Sequence, residues 1–174
     1  MFTFMQWLKE QPQVNPFHRS SESSNALRKK MLNPHHHRPP PNLKPWHSTE
    51  THDCYIVHHK DGSGDITFHC KKTKKCHGLI RFGGNPMHKE VKIRHTITQP
   101  NGPLKGHELY THLLDHGHTL HSDVSLNPAS LNMWKKVCEH PKTVVKSHNG
   151  TIVNKDNIES LCGKHNRFTA KKET

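Results

Sequence analysis

Asp156-Asn157-Ile158-Glu159-Ser160-Leu161-Cys162-Gly163-Lys164-His165-Asn166-Arg167-Phe168 is the stretch on which the reading of the fold turns. An asparagine leads a short apolar run, and Cys162 and His165 stand at a separation that zinc ligands use. One ion held between them would fix the turn that begins a short helix. Asn166 would then project from that helix toward whatever lies before it. A basic tail follows, ending in Lys171-Lys172-Glu173-Thr174.

Upstream, Leu131–His140 reads as a helix or turn entering a metal site, so that Cys138 and His140 would join Cys162 and His165 as zinc ligands. Between the two pairs, Thr143–Gly150 reads as a strand entering a glycine turn and Thr151–Lys155 as its return. This C-terminal segment resembles the end of an HNH (His-Me finger) nuclease domain, whose pattern Asn-Leu-x-x-Leu-Cys-x-x-Cys/His closes on His or Asn. The version ending on Asn, as here, is most similar to the phage recombination endonuclease branch of that family. The resemblance implies a ββα cradle for one magnesium or manganese ion, distinct from the structural zinc. His148 would be the base that deprotonates water, Asn157 the residue that ties the loop, and Asn166 a weak oxygen ligand. Lys146, Lys164 and Arg167 would contact phosphates. The family places Asp or His before the catalytic histidine, whereas this chain has Ser147, a poor ligand for a hard cation. Asp115-His116 therefore stays open as the alternative pair, beside its simpler reading as a helix end.

In the middle of the chain, Cys54–His59 and Ile66–Cys70 have strand composition and flank the turn Lys60–Asp65. A turn centred on Gly62 would set Cys54 opposite Cys70. Cys54, Cys70 and Cys76, with His77, His52 or His69, would then form a second zinc site. Lys71, Lys72, Lys74 and Lys75 would stand on a knuckle suited to phosphate contact. Leu79–Phe82 and Val91–Ile97 read as further strands, and Gly106–Gly117 as a short helix with Gly117 at its C-cap.

Composition sets the class. Only 30% of the 174 residues are hydrophobic and mean hydropathy is −0.93, too little apolar material for a large core. Small cores are commonly held by metals or disulfides, and twenty histidines and five cysteines offer ligands. The odd cysteine count, with no signal-peptide pattern at Met1–Leu8, points to an intracellular soluble protein of cytoplasm, nucleus or virion, not a secreted one. No apolar run reaches membrane-spanning length, so no membrane partner is expected. Twenty-six Lys and Arg against fourteen Asp and Glu give a net charge of +12, which favours a polyanionic partner. That partner is nucleic acid, DNA ahead of RNA, since no aromatic-basic ribonucleoprotein motif is present.

The expected fold is α+β in three parts. Residues 1–50 form a disordered basic arm rich in Pro and His, which lies along nucleic acid or makes a contact in a homo-oligomer or assembly. Residues 51–130 form a small zinc-stapled antiparallel sheet with a short helix, and residues 131–174 a treble-clef-like ββα unit. Two functions fit: a metal-dependent HNH-type endonuclease hydrolysing phosphodiester bonds, or a non-catalytic zinc-stapled nucleic-acid-binding or structural protein of a viral or ribonucleoprotein assembly.

Overall fold

The computed structural model describes residues 41–162 and 166–174, together with Lys29 and Pro39. The expected arm, Met1–Leu8 included, therefore lies mostly outside the described residues. The last part of the stretch expected as arm, His47–Ser48, is strand β1.

β2 (His52–His58), β3 (Gly64–Cys70), β4 (Cys76–Gly83) and β5 (Glu90–Thr98) follow β1 as antiparallel neighbours in chain order. β5 shows why: Val91 and Ile93 are buried while Glu90, Lys92 and Arg94 are exposed, the two-residue period of a strand with one covered face. Helix α1 (Gly106–Asp115) then carries the chain over to β6 (Thr119–His121), which lies parallel to the start of β5. A parallel neighbour requires such a crossover. Helix α2 (Pro128–Cys138), β7 (Thr143–Ser147), β8 (Ile152–Val153), helix α3 (Ile158–Leu161) and β9 (Phe168–Lys172) complete the chain. β9 inserts antiparallel between β6 and β7, giving one nine-stranded sheet in the order β1-β2-β3-β4-β5-β6-β9-β7-β8. The protein is thus α+β, with a large, mostly antiparallel sheet and three helices among the described residues.

Both longer helices pack on one face of this sheet. Leu109, Tyr110, Leu113 and Leu114 of α1 recur at helical spacing and meet Trp134 and Val137 of α2. Against them lie Ile66, Phe68, Ile80, Phe82, Val91, Leu120, Val145, Phe168 and Ala170 from the strands. Gly117, at φ 81, ends α1 where a residue with a Cβ would be strained.

Two local expectations change. The hairpin turn spans His59–Ser63, closed by the Ser63 carbonyl accepting from His59 N at 2.8 Å, with Asp61 at its centre. Gly62 takes only the left-handed position after it, at φ 79. The register therefore sets His52 opposite Cys70 and Cys54 opposite Phe68. At the C-terminus, the residues after Asn166 form β9 and not a helix, because Phe168 and Ala170 alternate into the core.

On the other face of β3, Asp65 is 4% exposed and accepts from Arg81 Nε at 2.9 Å and Nη2 at 3.2 Å. Burial acts to raise the Asp65 pKa, and the hydrogen bonds from Arg81 and His59 outweigh it, so the carboxyl titrates below its usual range. Asp65→Ala would strip Arg81 of its partner while leaving its charge half-buried. The expected loss is about 3 kcal/mol, read as a lowered urea midpoint.

Candidate functional site

The proposed metal ligands take up other contacts in this fold. Cys54 packs in the core, the Cys76 thiol donates to the Gly78 carbonyl at 3.2 Å, and His77 Nδ1 lies 2.8 Å from His52 Nε2. The lysine knuckle is closed by its own backbone: Lys74 N donates to the Cys70 carbonyl at 2.8 Å and Cys70 N to the Lys75 carbonyl at 2.9 Å. Lys71, Lys72, Lys74 and Lys75 are all exposed on it. Cys138 ends α2 and Cys162 follows α3, both packed against the core, while His140 Nε2 is bound to Asp115 Oδ1 at 2.8 Å. His165 and Lys164 lie outside the described residues. Among the described residues, no three His, Cys, Asp or Glu side chains converge in metal-holding geometry.

The residues implied by the nuclease resemblance sit around the β7–β8–α3 segment. His148 is exposed just after β7, and the Ser147 hydroxyl before it donates to Asn149 Oδ1. Asn157 ties its loop, accepting from Asn154 N at 2.8 Å and donating to the Ile152 carbonyl at 3.0 Å. Asn166 Nδ2 donates to the Leu161 carbonyl at 3.0 Å. The Asp115 carboxylate binds His140 and Lys172, and His116 Nδ1 lies 2.8 Å from the His112 carbonyl.

A different constellation occupies the centre of the sheet. Pairing between β5 and β6 ends at Lys92–His121, yet β5 runs on to Thr98 with only β4 beside it among the described residues. On the other side, the chain after β6 stays with β9, since Ser122 N donates to the Phe168 carbonyl at 2.8 Å. The sheet therefore forks. Its opening lies at the C-terminal ends of two parallel strands, the end at which α1 and α2 both begin.

The two helix starts differ. Asn127 caps α2, accepting from Ser130 N at 2.8 Å. Lys105 precedes α1, and an ammonium has no lone pair to accept a hydrogen bond. The Glu108 carboxylate folds back instead and accepts from Lys105 N at 2.6 Å, which leaves the Gly106 and His107 amides without a side-chain cap. Gly102 permits the tight turn before it, donating its N–H to the Gln99 carbonyl at 3.0 Å; a Cβ there would stand 2.9 Å from Gln99 Cβ.

At the crotch of the fork, on the face away from the helices, His121 Nε2 is hydrogen-bonded to Glu90 Oε2, and His121 Nδ1 lies 3.1 Å from Thr169 Oγ1. An ionised carboxylate can only accept, so Nε2 carries the proton, and in the neutral ring Nδ1 turns its lone pair toward the Thr169 hydroxyl. The register explains the contact, because His121 is directly opposite Thr169. Sequence reasoning missed this group. The available signal was the order strand, glycine turn, helix, strand across residues 91–121, which is that of a parallel crossover.

A second histidine group joins β1 to the end of α1. His47 Nε2 lies 3.0 Å from His118 Nε2, and the His47 ring is 4.1 Å from both the Trp46 and the His116 rings. Burial, then His116, His118, His112 and Lys89, hold His47 down to about 3. Burial, then nearby positive charge, holds His112 and His118 to about 4, with Asp115 opposing weakly at His112. Folded-state values below the unfolded 6.5 mean that the unfolded chain binds more protons in acid. The stabilisation is therefore complete above pH 6.5 and is lost as pH falls toward 4 and then 3. The urea midpoint is expected to drop over that window, with a shallower slope in His118→Gln than in the unsubstituted protein.

No protein-family model matches the chain, and no curated protein sequence matches it. Among the described residues, no helix is long and apolar enough to cross a membrane.

Proposed function

We propose that the protein is an acyl-group transferase that lays a coenzyme A thioester along the fork between β5 and β6. The observation carrying the assignment is the fork itself, where a parallel pair ends at Lys92–His121 while β5 continues to Thr98. Ligands of open α/β sheets sit outside the C-terminal ends of parallel strands, where the connections diverge. A strand edge inside such a crevice calls for a ligand with amide groups of its own. The Gly106 and His107 amides, which no side chain caps, call for an anion. Coenzyme A is the group carrier that joins a pyrophosphate to an extended amide-bearing arm, and it supplies an activated acyl group when bound.

Within that arrangement the chain's residues have separate tasks. The β5 edge orients the arm, and the first turn of α1 holds the phosphates. His121 Nδ1 receives, through the Thr169 hydroxyl, the proton lost by the attacking amine as the new acyl–nitrogen bond forms and the carbon–sulfur bond breaks. The departing thiolate then takes that proton. Glu90 fixes the imidazole tautomer and steadies its positive charge, the role a carboxylate plays behind a catalytic histidine. Titration calorimetry with coenzyme A tests the proposal. Saturable binding, displaced by acetyl coenzyme A and not by adenosine, is expected; absence of any binding heat together with absence of thiol release from acetyl coenzyme A would overturn it.

The charge favours a second reading, a nucleic-acid-binding protein. The chain carries +12, and the knuckle Lys71–Lys75 presents four exposed lysines. In its fuller form, zinc on Cys138, His140, Cys162 and His165 staples a treble-clef-like unit, and His148, Asn157 and Asn166 serve a magnesium or manganese ion in DNA cleavage. Plasmid cleavage lost in His148→Ala, with salt-dependent duplex binding, is the result that this second reading requires.

A further inference from the structure

The open face of the sheet beside the fork has its own chemistry, and its register can be followed residue by residue. Lys92 of β5 pairs with His121 of β6, His121 with Thr169 of β9, and Thr169 with Lys146 of β7. These four form one row across four strands. In the neighbouring row on the same face, Glu90 pairs with Thr119 and Lys171 pairs with Val144. The row between them, Val91, Leu120, Ala170 and Val145, points the other way into the core.

A trough of about 730 Å³ runs over this face, lined among others by Thr119, Thr169, Lys146, Lys171, Lys172 and Glu173. Its charges are unevenly matched. Lys172 Nζ is bound to Asp115 at 2.5 Å. Lys146 and Lys171 have no ion-pair partner among the described residues, nor has Glu173, so these three groups together carry a net positive charge of one. The two lysines are diagonal neighbours on adjacent strands, at a separation of roughly 7–8 Å between backbones for that geometry. Two like charges so close raise the local potential, and an anion between them relieves it. Adjacent strands lie about 4.8 Å apart, so the lysine pair stands up to two strand spacings, roughly 10 Å, from His121.

We infer that the acyl acceptor is an amine carrying an anionic group, phosphate or carboxylate, up to about 10 Å from the nitrogen, seated between Lys146 and Lys171 with its amine at His121. The assignment of the amine end rests on the transferase reading; the anion site does not. Thr169 links the two ends, since its hydroxyl faces His121 Nδ1 and its backbone pairs with Lys146.

The test uses amines of matched length: aminohexanoate, aminohexyl phosphate, the neutral aminohexanamide and the cationic diaminohexane. With acetyl coenzyme A, the KM is expected to be lowest for the two anionic amines and highest for the diamine. In the Lys146→Glu/Lys171→Glu double variant that order is expected to invert while coenzyme A affinity is unchanged. Equilibrium binding of aminohexyl phosphate and aminohexanoate, measured without donor, ranks the two anions. That binding is expected to be lost in the double variant. Charge-indifferent or cation-preferring turnover by the unsubstituted protein overturns the acceptor class. So does anion binding that is absent or unaltered by the double substitution. Failure of coenzyme A to bind, with anion binding intact and lost in the variant, removes the transferase reading and leaves the anion site.

Discussion

Trp134→Ala is expected to cost about 3–5 kcal/mol, enough to bring a domain of ordinary stability close to its unfolding threshold. Trp134 is 1% exposed and is the largest fully buried side chain among the described residues. Its ring lies 6.0 Å from that of Tyr110 and 6.2 Å from that of Phe168. It therefore joins α2 to α1 and to β9 at a single point. Truncation leaves a cavity among three elements that meet nowhere else through aromatic rings among the described residues. Because the sheet is continuous from β1 to β8, the loss should appear as one cooperative transition at lower urea. A control at Met87, 64% exposed, should move the midpoint little. A Trp134→Ala protein of unaltered stability would mean that α2 does not seal the core as described.

The largest expected effect on activity is at His121. Removing its imidazole should lower kcat for acyl transfer by roughly 10²–10⁴-fold, the usual contribution of a positioned general base. Coenzyme A affinity should be unchanged, because the ring lies on the open face and not along the β5 edge. Glu90→Gln should lower kcat less and shift the pH–rate profile, since it disturbs the tautomer without deleting the base. Thr169→Val should lower kcat as well, whereas a merely structural Thr169 would alter stability and leave kcat in place. Equal kcat in the unsubstituted protein and His121→Ala would remove the proton-accepting role.

Much of the sheet was legible in the sequence, and the parts that were not share a physical cause. Cys54–His59, Ile66–Cys70, Leu79–Phe82 and Val91–Ile97 carry enough β-branched and aromatic residues to declare strands, and all lie in or overlap β2 to β5. Gly106–Gly117 carries the helical period and its glycine stop. β6 is three residues long and β9 buries only Phe168 and Ala170 within a basic stretch, so neither shows a period of its own. Both are strands because tertiary pairing makes them so. Without β6 the parallel pair, and hence the fork, cannot be read from the chain.

The candidate site was less legible for a related reason. Cys162 and His165 attract attention because their spacing is local, whereas Glu90, His121 and Thr169 are brought together only by strand register. One histidine among twenty has no local mark of its role. His140 shows the converse, since a spacing suited to metal places it on the Asp115 carboxylate.

The most direct test of the fork is to follow backbone amide resonances while coenzyme A is titrated into the protein. The largest shifts are expected for the β5 amides beyond Lys92, for the first turn of α1, and for His121 at the crotch. Shifts confined to the Lys71–Lys75 knuckle or to the β7–β8 segment, or none at saturating ligand, would contradict a donor laid between β5 and β6.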